Sequence, residues 1–195
     1  MNHTAHSQFS AEERATLLEV AVDSIKHGLE QGVPLPVAAN DYPAGLQEIR
    51  ACFVTLLLGG DLRGCIGHLE AHLPIVEDVA ENAYAAAFRD PRFPPLTPHE
   101  RKNLEIHISV LTPAEAIDFE SEQELVSKIR PSVDGLILLD GRHRGTFLPS
   151  VWESIPDTRN FLSHLKQKAG LPANYWSSTL EVYRYETESF GGTPS

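Results

Sequence analysis

Residues 51–67 read Ala51-Cys52-Phe53-Val54-Thr55-Leu56-Leu57-Leu58, then Gly59-Gly60, then Asp61-Leu62-Arg63-Gly64-Cys65-Ile66-Gly67. The first run places apolar and β-branched residues on both alternating faces, the pattern of a strand covered on both sides. Gly-Gly between two such runs is a two-residue hairpin signal, because both turn positions require a left-handed backbone. An antiparallel hairpin closed there sets Leu58 opposite Asp61 and Cys65 opposite Val54. It points Arg63, Cys65 and Gly67 to one face and Leu62, Gly64 and Ile66 to the other. Glycine weakens a strand interior, so Gly64 and Gly67 imply a bulge or a close approach by a ligand or a neighbouring backbone.

Working outward, Ser10 and Glu13 form a capping-box signature ahead of Leu17, Leu18, Ala21, Val22, Ile25 and Leu29 at helical spacing, which predicts a helix over 11–30. Pro34-Leu35-Pro36 then forbids helix. Beyond the hairpin, Pro74 suits a first helical turn, with Glu77 and Asp78 near its positive end, and Asp90-Pro91 stops that helix. Residues 104–111 form the next strand. A short helix over 122–130 leads to a second hairpin, 136–139 and 146–148, across Asp140-Gly141. Asp157 caps a helix running to Lys168 that Gly170 ends, and residues 179–185 close the chain as a strand before a polar tail.

The order hairpin, helix, strand thus occurs twice. Arg63-Gly64 sits in the first return strand and Arg144-Gly145 in the second, and Leu104-Glu105-Ile106 is echoed by Leu180-Glu181-Val182. The expectation is an α+β domain spanning 1–195, made of two intimately packed subdomains. These would be a duplicated hairpin-helix-strand unit, with halves at about 51–111 and 135–185 and an added N-terminal helix.

The chain has 195 residues and a formal net charge of −11. An acidic chain is poorly placed to neutralise phosphates, so direct nucleic-acid binding is disfavoured. The apolar runs fall far short of the roughly 20 residues that span a bilayer, and the N-terminus lacks a signal-peptide pattern. Two cysteines make no disulfide framework, and a soluble cytoplasmic protein is expected.

Two readings of the hairpin stand side by side. In one, Cys65 is a nucleophile or redox thiol and Arg63, on the same face, holds an anion and lowers the thiol pKa. In the other, Cys65 is a small buried hydrophobe and the glycines serve a bulge. Elsewhere, Asp90 either ends its helix by turn chemistry or orients Arg63 or Arg92 towards an anionic ligand. His107 alternates with apolar residues and reads as a satisfied structural histidine. His68 and His72 lie four apart with no third ligand at a recognisable spacing, so no metal is expected. Lys168 suits the negative end of its helix whatever the function.

The run Leu62 to Gly67 resembles the signature of the AMMECR domain family, the protein A component of the AmmeMemoRadiSam system. Asp90-Pro91-Arg92-Phe93, Ile108-Ser109-Val110-Leu111-Thr112-Pro113, Leu148-Pro149 and Lys168-Ala169-Gly170-Leu171-Pro172 before Trp176 follow in family order. The resemblance implies a compact α+β fold of two subdomains. It also implies two companions, a Memo-type protein and a radical S-adenosylmethionine enzyme. It supplies neither a reaction nor a cofactor, and it makes Gly64, Gly67, Asp90, Arg92 and Lys168 ligand-binding candidates beside Cys65 and Arg63. Many relatives carry a cysteine two residues before the lysine of the Lys-Ala-Gly-Leu run; here Lys166 stands there, which undermines any scheme of two cooperating cysteines.

Overall fold

The computed structural model describes residues 9–192. In chain order its elements are α1 (Ala11–Gln31), β1 (Cys52–Leu58), β2 (Asp61–Gly67), α2 (Ile75–Phe88), β3 (Leu104–Leu111), β4 (Glu115–Ala116), α3 (Glu122–Lys128), β5 (Gly135–Asp140), β6 (His143–Phe147), α4 (Thr158–Lys168), β7 (Glu181–Tyr185) and β8 (Thr187–Gly192). Four helices with two four-stranded sheets make the α+β class. The chain divides into two compact units, one running to Leu111 and resuming at Glu188, the other Thr112–Thr187. No helix among the described residues is long and apolar enough to cross a membrane.

In the first unit the sheet order is β2-β1-β3-β8. The capping box forms: the Glu13 N–H donates to Ser10 Oγ at 3.1 Å, and the Ser10 N–H donates to Glu13 Oε2 at 2.8 Å. Leu17, Val20, Ala21 and Ile25 of α1 and Val76, Val79, Ala80 and Ala83 of α2 share one core with Cys52, Val54 and Leu56 of β1 and Leu104, Ile106 and Ile108 of β3. The Ser24 hydroxyl donates to the Ala80 carbonyl at 2.7 Å, tying the two helices together without an unpaired buried group. Gly59 and Gly60 turn the hairpin with φ of 61° and 86°, as the Gly-Gly pair requires.

In the second unit the order is β4-β7-β5-β6, with β5 antiparallel to both β6 and β7. Phe161, Leu162 and Leu165 of α4 pack on Leu136, Leu138 and Val182. Trp152 stacks on Phe161 with ring centroids 3.7 Å apart, and its indole N–H donates to the Asp134 carbonyl at 2.7 Å. Each unit therefore has a hairpin, a helix and a strand that pairs with the hairpin's first strand. The orders β2-β1-β3-β8 and β6-β5-β7-β4 run in parallel. This shared order supports the proposal of an internal duplication, which strand-for-strand superposition of the two sheets would test.

Three expectations need correction. The first hairpin carries a bulge: Leu56 pairs with Gly64 and Leu57 with Leu62, so Arg63 is the extra residue and Cys65 pairs with Thr55, not Val54. Cys52 lies in the helix-facing core while Cys65 sits on the opposite face, so the two thiols, both free, are kept apart by the sheet. The second hairpin turns at Gly141-Arg142, with Asp140 paired to His143, and its return strand starts earlier than expected. The polar tail is not a tail, because β8 adds an edge strand beside β3.

Candidate functional site around Cys65

Gly64 faces α2, where an added Cβ would overlap the Ala86 carbonyl oxygen, and a Cβ on Gly67 would overlap the Cys52 carbonyl oxygen. Neither glycine adopts a positive φ. Both are required by close approach, and the contact is with the chain's own backbone rather than a ligand. Gly145 repeats the arrangement in the second unit, against the Leu165 carbonyl oxygen of α4 and Ala169, which caps that helix.

The bulge turns the Arg63 side chain inward, leaving it 8% exposed. Its Nε donates to Glu100 Oε1 at 2.7 Å, and its Nη2 to the Pro94 carbonyl at 3.0 Å and to Glu100 Oε2 at 3.3 Å. Glu100 also accepts from the Thr97 N–H and hydroxyl, each at 2.8 Å. The hydrogen bond from Arg63 is the main reason its carboxyl is pulled down to about 2. An arginine expected to hold a substrate anion thus already holds a carboxylate of its own chain.

Asp90 engages Arg92 and not Arg63. Its carboxylate accepts from Arg92 Nε at 2.9 Å, Arg92 Nη2 at 2.7 Å, the Arg92 N–H at 3.1 Å and the Cys65 N–H at 2.9 Å. Arg92 Nη2 in turn donates to the Cys65 carbonyl at 3.2 Å. The strand β2 is a sheet edge, and Asp90 and Arg92 occupy the backbone groups of Cys65 that a further strand would otherwise pair. The hydrogen bonds from Arg92 hold the Asp90 carboxyl well below the usual carboxylate range, despite near-complete burial, and Asp90 raises the Arg92 guanidinium. Half of the Arg92 side chain stays exposed.

The Cys65 sulfur is half-buried and accepts a hydrogen bond from Thr55 Oγ1 at 3.3 Å. Thr55 pairs with Cys65 on one side and His107 on the other, so the three side chains form a row across β2, β1 and β3. Two strand spacings, about 10 Å, separate the cysteine and histidine backbones, too far for direct proton transfer. His107 is not the satisfied histidine expected: its Nε2 lies 3.8 Å from Glu105 Oε2 and makes no hydrogen bond. Lys168 belongs to the second unit, where its ammonium sits 5.0 Å from the centre of the Phe147 ring.

Glu100 and Thr55 escaped sequence reasoning because nothing local marks them; each meets its partner across at least ten residues of chain. A second gathering of polar groups was half visible. His68 and His72 are joined by the buried Asp78, and their ligand atoms all lie within 4.8 Å of one another.

Known proteins resemble this chain in sequence, and a solved structure resembles it in fold. The AMMECR1 family model matches residues 18–190. A protein of Methanothermobacter thermautotrophicus is 37% identical over 191 residues, covering 95% of this chain and 97% of its own. Protein MJ0810 of Methanocaldococcus jannaschii is 40% identical over 162 residues, 79% of each chain. Among solved structures, uncharacterized protein PH0010 of Pyrococcus horikoshii superposes with a TM-score of 0.81 at 34% identity, covering 94% of this chain and 93% of its own. With a family model matched over residues 18–190 and a relative aligned over 95% of the chain, this chain belongs to the AMMECR1 family.

Proposed function

We propose that this chain is a non-catalytic binding module that works in the cytoplasm with a Memo-type protein and a radical S-adenosylmethionine enzyme. Resemblance to the AmmeMemoRadiSam system supports the choice of partners. The observation that carries the non-catalytic reading is how the polar groups around Cys65 are used: Arg63 is bound by Glu100, and Asp90 and Arg92 hold the Cys65 backbone. A nucleophilic cysteine is activated by a base within hydrogen-bond reach or by a cation that lowers its pKa; here the partner of the sulfur is a threonine hydroxyl that donates to it, and Arg63 and Arg92 are each paired with a carboxylate. The alternative, an enzyme acting on a small anionic substrate through Cys65 and Arg63, draws its support from the half-buried sulfur beside the exposed edge of Arg92.

Sedimentation of the full chain mixed with each purified companion from the same genome tests the proposal. A complex with a dissociation constant of about 10 μM or tighter is expected, in the range of transient interfaces. Cys65→Ser should form it equally well. Absence of a complex with either companion at about 100 μM overturns the proposal. So does turnover of a small molecule by the chain alone that Cys65→Ser abolishes.

A further inference from the structure

We propose that His68, His72 and Asp78 form a binding site for one divalent transition-metal ion of the zinc class, with at least one coordination position left open. The inference is independent of the proposed partner-binding function.

The fold converges three separated residues. The His68 N–H still donates to the Cys52 carbonyl at 3.1 Å, so the histidine is pinned where β2 ends alongside the start of β1. Six residues later Pro74 caps α2, whose first turn carries Asp78 back beneath the same spot. Asp78 is 1% exposed and its two oxygens are treated very differently. Oδ2 accepts three donors: the Cys52 N–H at 3.1 Å, the Cys52 thiol at 3.2 Å and Asn82 Nδ2 at 3.0 Å. Oδ1 is buried and accepts none. A carboxylate locked on one side and empty on the other is an anomaly in a core, where buried polar atoms find partners. It is what a metal ligand looks like when outer donors fix its orientation.

The empty oxygen is aimed at histidines. His68 Nδ1 lies 3.4 Å from Asp78 Oδ1, and the His68 and His72 rings meet edge to face at 4.8 Å. His72 Nδ1 is 2.9 Å from the Glu70 carbonyl, which only accepts, so in the neutral ring that nitrogen carries the proton and Nε2 is the one that can ligate. A backbone carbonyl on the far nitrogen is the usual way of orienting a ligating imidazole. Metal–ligand bonds of about 2.0–2.1 Å put tetrahedral ligand atoms roughly 3.4 Å apart. The His68–Asp78 separation of 3.4 Å meets this, and exposed His72 has room to close from within the 4.8 Å spread.

Two imidazoles and one carboxylate select zinc, iron(II), cobalt(II) or their neighbours over magnesium or calcium, which favour oxygen ligands. Three protein ligands are the number found where a fourth position stays open to water or another donor. The competing account is a plain His68–Asp78 ion pair. It gives His72 and its Glu70 contact no role, whereas the metal uses all three residues.

The test takes the full-length chain, stripped with a chelator, and titrates it calorimetrically with zinc ion at about pH 7.5, where histidine is neutral. Cobalt(II) serves as a coloured probe. About one equivalent should bind with a dissociation constant of about 1 μM or tighter, and cobalt should develop visible absorption. His68→Ala and His72→Ala, both at exposed positions, should each weaken binding at least about 10-fold with unchanged circular dichroism. His164→Ala, on α4 of the second unit, should leave it unchanged. Binding weaker than about 100 μM, or zinc affinity that survives both His68→Ala and His72→Ala, overturns the proposal. So does a His68 that titrates in nuclear magnetic resonance spectra with no response to added zinc.

Discussion

At Gly64 the absent side chain is what lets a helix lie on a strand. The obstructing atom is the Ala86 carbonyl oxygen, fixed within α2, so it cannot swing aside as a side chain would. Gly64→Ala should therefore destabilise the protein by about 1–3 kcal/mol through overpacking. Gly67→Ala should do the same against the Cys52 carbonyl. Urea melts check both; an unchanged midpoint for Gly64→Ala would mean the helix is free to withdraw. Cys65 is the contrast. Its sulfur is half-buried beside the Thr55 hydroxyl, so a serine hydroxyl finds a partner there, and Cys65→Ser should cost less than about 1 kcal/mol. Cys52 is fully buried, and burial, with the Asp78 carboxylate next to it, pushes its thiol well above the usual range. A thiol reagent should accordingly modify one cysteine in the native protein and both after denaturation.

Elements with local signatures were legible, and those determined by distant partners were not. The capping box marks α1, alternation and Gly-Gly mark β1 and β2, and Asp157 marks α4, whose Asn160 N–H donates to the capping carboxylate at 2.9 Å. The segment Thr187-Glu188-Ser189-Phe190-Gly191-Gly192 offers one large apolar residue and becomes a strand only because β3 presents an edge. A glycine inside a strand hints at the bulge beside Arg63, yet that arginine's partner Glu100 is 37 residues away and carries no mark. The candidate site was legible as a motif, but the use of each polar group was not, since that depends on what the turns after α2 bring up to the sheet edge. The link between α3 and α4 was equally hidden. Lys166, wholly buried, donates to Glu122 Oε2 at 2.7 Å. Removing only the carboxylate strands a buried ammonium, so Glu122→Gln should cost on the order of 2–3 kcal/mol. Lys166→Met, which removes the charge itself and keeps an unbranched side chain only one atom shorter, should cost less. The reverse ranking in denaturant melts would show that the pair is solvated and of little weight.

At the scale of the whole molecule, the first unit is not continuous in the chain: its sheet is finished by residues that follow the entire second unit. Three contacts show what β8 contributes. Arg14 Nη2 meets Glu188 Oε1 at 2.7 Å, the Ser109 and Ser189 hydroxyls lie 2.8 Å apart, and Phe190 packs into the first core with its ring centroid 6.4 Å from that of Phe9. Deleting residues 188–195 would open the edge of β3 and remove an aromatic side chain from the core, costing about 2–4 kcal/mol in the first unit. The chain's own chromophores can report where that loss falls. Its only two tryptophans, Trp152 and Trp176, both lie in the second unit, while α1 and α2, which dominate the helical signal, lie in the first. In urea, the truncated chain should lose far-ultraviolet circular dichroism at a clearly lower midpoint than the full chain, with a smaller shift in tryptophan fluorescence. A circular-dichroism midpoint unmoved by the deletion would show that β8 only decorates the edge of β3, and that the first unit is complete at Leu111.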